Sequence, residues 1–342
     1  MSHLQVESTA TPGDFLGSQH VISPAPSTAA TAGLDIRTLS VALAIYGGYF
    51  VLTWYFQDLP LWVAAPLLIA CVTWHGSLQH ETIHGHPTPS RRLNVMLATP
   101  PLSLWIPYRI YRATHLQHHR HRGRHLTEVS RDPESFFLQP GTLSKSSRLR
   151  RALYTANCTL SGRLILGPAF GVFRFWTAEA RKVLGGDRRS TILWSRHALA
   201  VAAVLLWTRG VCHIPIAVYV MLVVYPSISL NHLRSFTEHR AAPEASLRTM
   251  VVEAHPLWAL IFLNNNLHIA HHAHPQLPWH QLPRAWSRMR GSAVESGLVY
   301  DGGYGQVAGN FLLRPVISVE HPGAVAHAAA LEHAAMDGAA DR

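Results

Sequence analysis

The chain has 342 residues, of which 48% are hydrophobic and only 14% are charged. Soluble domains usually carry about 25% charged residues, so this composition argues against an ordinary soluble enzyme. A net charge of +10 raises the possibility of nucleic-acid binding. No nucleic-acid motif or basic groove interleaved with aromatic residues accompanies that charge, so we predict no nucleic-acid partner.

The two ends of the chain differ in composition from its middle. The first 33 residues are rich in Ser, Thr, Ala, Pro and Gly and lack hydrophobic periodicity. Such a segment cannot bury enough apolar surface to offset the entropy of folding. We therefore predict a disordered tail over residues 1–35, one membrane domain over residues 36–320, and a mobile Ala- and His-rich tail over residues 321–342.

Four apolar runs occupy the predicted membrane domain. They cover residues 39–56, 61–74, 197–207 and 214–230. A spanning helix needs about 20 residues, which the second and third runs reach only with flanking Trp, Ser and His residues. Each pair of runs predicts a helical hairpin that crosses a bilayer twice. Core helices of a soluble protein are the alternative, but four such segments are hard to hide in one soluble domain.

The basic residues predict the orientation of these helices. Residues 79–196 hold nineteen of the 29 Lys and Arg residues, whereas the turn at residues 57–60 holds none. Because cytoplasmic loops carry an excess of Lys and Arg, the long segment and both termini are predicted to face the cytoplasm from the inner membrane. Within it, residues 148–185 mix arginines with aromatic side chains, which predicts helices that lie in the membrane interface.

Three short histidine clusters adjoin the apolar runs. They read HETIH at residues 80–84, HLQHH at 115–119 and HIAHH at 268–272. Helix positions i, i+3 and i+4 share one face, so each cluster presents its imidazoles together. Imidazole is the commonest protein metal ligand, and eight exceed what one ion can use, which predicts two ions. The eight are His80, His84, His115, His118, His119, His268, His271 and His272.

The first cluster also fits a different class of enzyme. HETIH matches the HExxH signature of zinc metalloproteases, in which two histidines bind zinc and the glutamate is the general base. That interpretation leaves the other two clusters without a role, since zinc needs three or four ligands. A zinc membrane metalloprotease stays open as an alternative, and a non-catalytic metal-binding membrane protein is a more distant one.

Together the clusters resemble the HxxxH, HxxHH and HxxHH boxes of the membrane fatty acid desaturase superfamily. Neighbouring strings are similar too, at residues 131–135, 234–240 and 264–268. The string HPQLPW at residues 274–279 is similar to bacterial acyl desaturases and somewhat similar to carotenoid ketolases. The resemblance covers roughly residues 39–283. It implies an all-α integral membrane protein with four transmembrane helices in two hairpins, interfacial helices and a cytosolic histidine-rich cap.

The resemblance also implies a ninth ligand between the second and third boxes. We prefer His239, which stands in a Glu-His-Arg string, to the competing His232. In some relatives an asparagine four residues before this histidine holds a metal-bound water, but here that position is Ser235. Asn264 or Asn265 is the candidate substitute for that asparagine. Carboxylates next to ligands often accept the outer N–H of a ligating histidine and fix its tautomer. The residues predicted for that outer role are Glu81, Glu238, Asn265 and Asp132.

The implied activity is an O2-dependent oxidation at two iron ions. The resemblance favours a fatty acid desaturase that introduces a C=C bond into an acyl or other lipid chain. A hydroxylase, a carotenoid ketolase and an alkene-forming fatty acid decarboxylase are sibling reactions at the same kind of site, and the sequence does not separate them. Electrons are expected from an external ferredoxin- or cytochrome-like donor with its reductase.

Overall fold

The protein is described here by a computed structural model that covers residues 33–120 and 124–322. The predicted N-terminal tail falls almost entirely outside these residues, as does the C-terminal tail beyond Pro322. The helices are α1 Ile36–Trp54, α2 Leu61–Ile83, α3 Arg91–Ala98, α4 Tyr108–His118, α5 Arg148–Asn157, α6 Leu160–Ile165, α7 Gly167–Leu184, α8 Arg188–Leu205, α9 Ile216–Tyr219, α10 Tyr225–Ser235, α11 Pro256–Ile261, α12 His268–Ala273, α13 Leu282–Glu295 and α14 Gly303–Phe311. Two short strands, β1 Val251–Val252 and β2 Val299–Tyr300, pair in parallel.

Within the described residues, four helices are long and apolar enough to cross a membrane. Two are α1 and α2; the others are Arg188–Val211, which is α8 with a π-helical extension, and Ile216–Ser235, which joins α9 to α10. The prediction of a largely helical protein with four spanning helices is thus confirmed. Two bounds differ, because α2 continues to Ile83 and α8 begins at Arg188, where the Asp187 side chain caps it. His80 therefore lies on a spanning helix, whereas the sequence predicts a loop over this stretch.

Polar contacts join the spanning helices across an otherwise apolar interior. The Cys71 thiol on α2 donates to the Ile45 carbonyl on α1, with Sγ 3.1 Å from the oxygen. The Trp207 indole N–H donates to Thr53 Oγ1 over 2.9 Å, which joins the third span to the first. Lipid tails supply little hydrophobic force between helices, so packing and hydrogen bonds of this kind hold a membrane bundle together.

Residues 97–105, which begin in the last turn of α3 and which we name the re-entrant segment, return into this bundle. Five carbonyl groups of the segment accept hydrogen bonds from side chains on five different helices. The donors are Tyr46, Gln79, Tyr219, His197 and Trp176, which bond to the carbonyl oxygens of Leu97, Ala98, Leu102, Leu104 and Trp105, respectively. Irregular backbone is tolerated at membrane depth only where protein groups satisfy it or a cavity exposes it.

The depth of the re-entrant segment follows from the Tyr219 hydroxyl. It donates to the Leu102 carbonyl over 2.7 Å and lies 3.0 Å from the Tyr49 hydroxyl. Tyr49 is thirteen residues from the start of α1, which is about 20 Å along a helix axis. The segment thus reaches far into the bundle, whereas the sequence predicted a purely cytoplasmic loop here.

The region predicted to form interfacial helices contains α5, α6 and α7. Large apolar side chains project from them, with Phe173 73% and Leu184 87% exposed. Such faces suit a membrane interface, and that placement stays a prediction. A Cβ atom on Gly167 would lie only 2.6 Å from Nδ1 of His232. His232, the competing choice for the ninth ligand, therefore packs against α7.

The segments after the fourth span form a second apolar cluster that supports α12. Met250, Val251, Leu267, Leu282 and Trp286 are buried together in it. The chain then returns to the segment that follows α4, because His321 is buried and its Nε2 lies 3.0 Å from Thr127 Oγ1. The packed part of the chain thus includes the first residue of the predicted C-terminal tail.

Candidate metal centre

The histidine clusters lie where helices end. His80 is in the last turn of α2 and His84 is its C-terminal cap, while His115 and His118 are in α4, which His119 caps. The third cluster is the short helix α12 itself. Each cluster has the helical geometry that its spacing predicts. His239 comes four residues after the end of α10, directly after the turn at residues 236–238, and forms an isolated antiparallel bridge with Thr249.

All nine histidines predicted to bind metal come together, and they divide into two groups. Within each group, the candidate ligand atoms lie within 4.8 Å of one another. The five-histidine group is His80, His84, His115, His119 and His271. The four-histidine group is His118, His239, His268 and His272. The helices α4 and α12 contribute to both groups, so they bridge the two sites.

Neighbouring Nε2 atoms within each group stand at one recurring distance. In the five-histidine group, the pairs His84–His115, His115–His119 and His119–His271 are each 3.1 Å apart. In the four-histidine group, the pairs are His118–His239, His239–His268 and His268–His272, again at 3.1 Å.

These contacts are not ordinary hydrogen bonds. A ring nitrogen offers one N–H or one lone pair, yet Nε2 of His115, His119, His239 and His268 each faces two other nitrogens. The Nε2 atom of His80 is also buried without a hydrogen-bond partner. Atoms arranged in this way converge on a common point, which is the arrangement that a metal ion requires.

The spacing also bears on the kind of ion. For a metal–nitrogen bond of about 2.1 Å, ligands 3.1 Å apart subtend about 95° at the ion, whereas tetrahedral ligands would stand about 3.4 Å apart. Angles near 90° favour five or six ligands over the four of a tetrahedral zinc site. The spacing of neighbouring ring nitrogens is therefore closer to that of a five- or six-coordinate site than to that of a tetrahedral one.

Outer groups orient several of these imidazoles. The Nδ1 atom of His118 lies 2.9 Å from Asp132 Oδ1, and that of His268 lies 3.3 Å from Asn265 Oδ1. The Nδ1–H of His239 donates to the Arg248 carbonyl over 3.3 Å. A backbone carbonyl carries no sequence signature, so nothing in the sequence indicates this contact.

The two predicted glutamates stand farther from the imidazoles. Glu81 Oε1 is 3.8 Å from Nδ1 of His80, and the other oxygen of Glu81 accepts the backbone N–H of Trp279 over 3.0 Å. Glu238 Oε1 is 3.7 Å from Nδ1 of His268 and 2.9 Å from a nitrogen of Arg234. Each glutamate thus lies closer to another protein group, the Trp279 N–H or the Arg234 guanidinium, than to the imidazole beside it.

Burial keeps most of these histidines in the form that binds metal. It lowers the pKa of His239 to about 3, and it lowers the pKa values of His268, His271 and His272 well below the usual range. Burial acts the same way on His118, but the carboxylates of Glu134 and Asp132 outweigh it and raise the pKa of His118. Neutral imidazoles can bind a cation without first losing a proton.

Comparison with known proteins agrees with this geometry. The family model described as fatty acid desaturase matches residues 58–304, which is well over half of the chain and includes all nine histidines. No curated protein matches the chain. The extent of the family match and the arrangement of the histidines lead to the same conclusion: the chain belongs to the fatty acid desaturase family.

Proposed function

We propose that the protein is an O2-dependent di-iron oxidoreductase that introduces a C=C bond into an acyl or other lipid chain. The five-histidine and four-histidine groups would each hold one iron. The observation that supports this most directly is the convergence of nine imidazoles into two sets, next to the ends of helices that can span a membrane. The family match supports the same class of reaction.

The nine histidines and the groups around them suit the oxidation of an unactivated C–H bond. Two irons would supply the electron storage and O2 activation that such a bond demands. The chain's own contribution is to keep water away from the site, because five of the nine ligand histidines are buried. Asp132 and Asn265 hold the outer nitrogens of His118 and His268, which orients these rings and fixes their tautomers.

An apolar cavity among the spanning helices supports the proposal that the substrate is a lipid. It has a volume of about 620 Å³ and lies between α1, α8 and the re-entrant segment. Tyr46, Phe50, Leu102, Val204 and Trp207 are among its lining residues. Pockets lined mainly by apolar side chains bind apolar ligands, and spanning helices bring such a pocket within reach of the bilayer.

Exposed basic residues near the histidine clusters support the proposal that the electron donor has an acidic face. Arg91, Arg92, Arg120, Arg124 and Arg131 are all exposed on segments that flank the first two histidine clusters. Complementary charge speeds association and selects partners, so a ferredoxin- or cytochrome-like protein with an acidic face would suit this surface. The donor and its reductase would then approach from the cytoplasm.

The orientation is testable with reporter fusions. If both termini and the histidine clusters are cytoplasmic at the inner membrane, fusions at Asp58 and Arg209 should report the opposite side. A fusion at Lys145 should report the cytoplasm and serves as the matched control. A cytoplasmic signal at Asp58 would contradict the two-hairpin topology.

Metal and lipid analysis together test the proposed function. The protein purified in detergent is expected to hold close to two irons per chain. A host that expresses it should accumulate unsaturated lipid chains that vanish with the His271→Ala variant. Hydroxylated, ketolated or decarboxylated products would keep the di-iron site and replace the desaturase assignment, whereas one zinc per chain would favour the protease.

A further inference from the structure

The Arg248 side chain connects two loops that flank the four-histidine group. Its side chain is only 12% exposed, and its three nitrogens donate to five acceptors. Two acceptors belong to its own loop and three to the segment after the second histidine cluster. The acceptors are the carbonyl oxygens of Ala242, Pro243, Arg124 and Leu126 and the carboxylate of Glu128, at 2.7, 3.2, 2.8, 3.2 and 3.4 Å.

One of these loops orients His118. Directly after Leu126, the backbone N–H of Thr127 donates to Asp132 Oδ2 over 2.9 Å. The other oxygen of Asp132 lies 2.9 Å from Nδ1 of His118. Contacts to Arg124, Leu126 and Glu128 therefore fix the segment whose carboxylate aims the His118 ring.

The other loop orients His239. The Arg248 carbonyl accepts both the backbone N–H of Arg240, over 3.0 Å, and Nδ1–H of His239, over 3.3 Å. The guanidinium of Arg248 holds the intervening turn closed through Ala242 and Pro243. The position of the carbonyl that aims the His239 ring thus depends on the same side chain.

We propose that Arg248 is a positioning residue for the four-histidine site, because it fixes the segment that orients His118 relative to the segment that orients His239. This inference rests on the proposed two-ion centre. Among the described residues, Arg248 contacts the segments that orient His118 and His239, both of the four-histidine group. In the five-histidine group, His115 is oriented by Glu134, two residues beyond Asp132. The effect of Arg248 should therefore fall mainly on the four-histidine ion. Lysine has one nitrogen with three donors, so it cannot reproduce the five contacts that the three guanidinium nitrogens make.

The test is the metal content of Arg248→Lys in the full-length protein. The variant is expected to bind one of its two ions about 10–100-fold more weakly, as the loss of outer partners typically does. Arg290→Lys is the matched control, because Arg290 pairs with Glu253 at an exposed site and should keep both ions. Combining Arg248→Lys with His118→Ala should remove no further metal beyond His118→Ala alone.

Each outcome of this experiment decides a different point. If wild-type protein binds fewer than two ions, the proposed function fails before the role of Arg248 is reached. If wild-type binds two and Arg248→Lys keeps both with unchanged affinity, Arg248 has no positioning role. Loss of both ions from Arg248→Lys would show a general structural role and would equally overturn the inference.

Discussion

Replacing His118 with alanine is expected to abolish product formation and to lower the metal content by one ion per chain. The Nε2 atom of His118 lies 3.1 Å from that of His239, so its loss leaves the four-histidine group with three imidazoles. It also leaves the buried Asp132 carboxylate without its partner ring, which is costly. Elemental analysis and lipid profiling of the purified variant would measure both effects.

The adjacent residue provides a control for this variant. Gln117 is exposed and makes one long contact of 3.4 Å to the Arg131 carbonyl, so Gln117→Ala should keep wild-type activity and two ions. His271→Ala should repeat the loss of product through the five-histidine group. Wild-type activity in both His118→Ala and His271→Ala would refute the assignment of the ligands.

Replacing Glu81 with glutamine is expected to weaken the enzyme without silencing it. Glu81 accepts the Trp279 backbone N–H, and a glutamine oxygen can still accept it. The loss of an outer partner of a metal ligand typically costs about 10–100-fold in activity. Substrate-dependent O2 consumption should therefore remain measurable in Glu81→Gln.

The same variant separates the desaturase from the protease. In a zinc protease, Glu81 would be the general base, and Glu81→Gln would erase activity while zinc stayed bound. His118 would then be dispensable, because such a site is built on His80 and His84. An inactive Glu81→Gln combined with fully active His118→Ala and His271→Ala would replace the desaturase with the protease.

Sequence periodicity predicts which histidines are candidate ligands, but it does not predict how they divide between the two groups. The spacing shows that His115, His118 and His119 lie near one another on a helix. His118 and His119 nevertheless differ by about 100° around the helix axis, and the structure places them in different groups. Which ion each serves depends on how α4 is turned within the bundle, and that depends on contacts with distant segments.

Apolar runs predict the four spans because length and hydropathy are local properties. Local properties do not predict the re-entrant segment, because its carbonyl groups are satisfied by side chains from distant parts of the chain, from Tyr46 to Tyr219. The role of Arg248 is hidden for a similar reason: most of its acceptors are backbone carbonyls, which have no sequence signature. Local patterns thus predict the four spans and the candidate ligands. The path of the re-entrant segment and the contacts of Arg248 depend on residues far apart in the sequence.

The re-entrant segment has a consequence for biogenesis. Its last hydrogen-bond donor in chain order, Tyr219, is synthesised more than a hundred residues after the segment itself. Until that donor arrives, the Leu102 carbonyl has no protein partner, and bare carbonyls are excluded from hydrocarbon. We therefore expect the segment to stay in the hydrated interface until the later helices have inserted, and to be buried late in the assembly of the bundle.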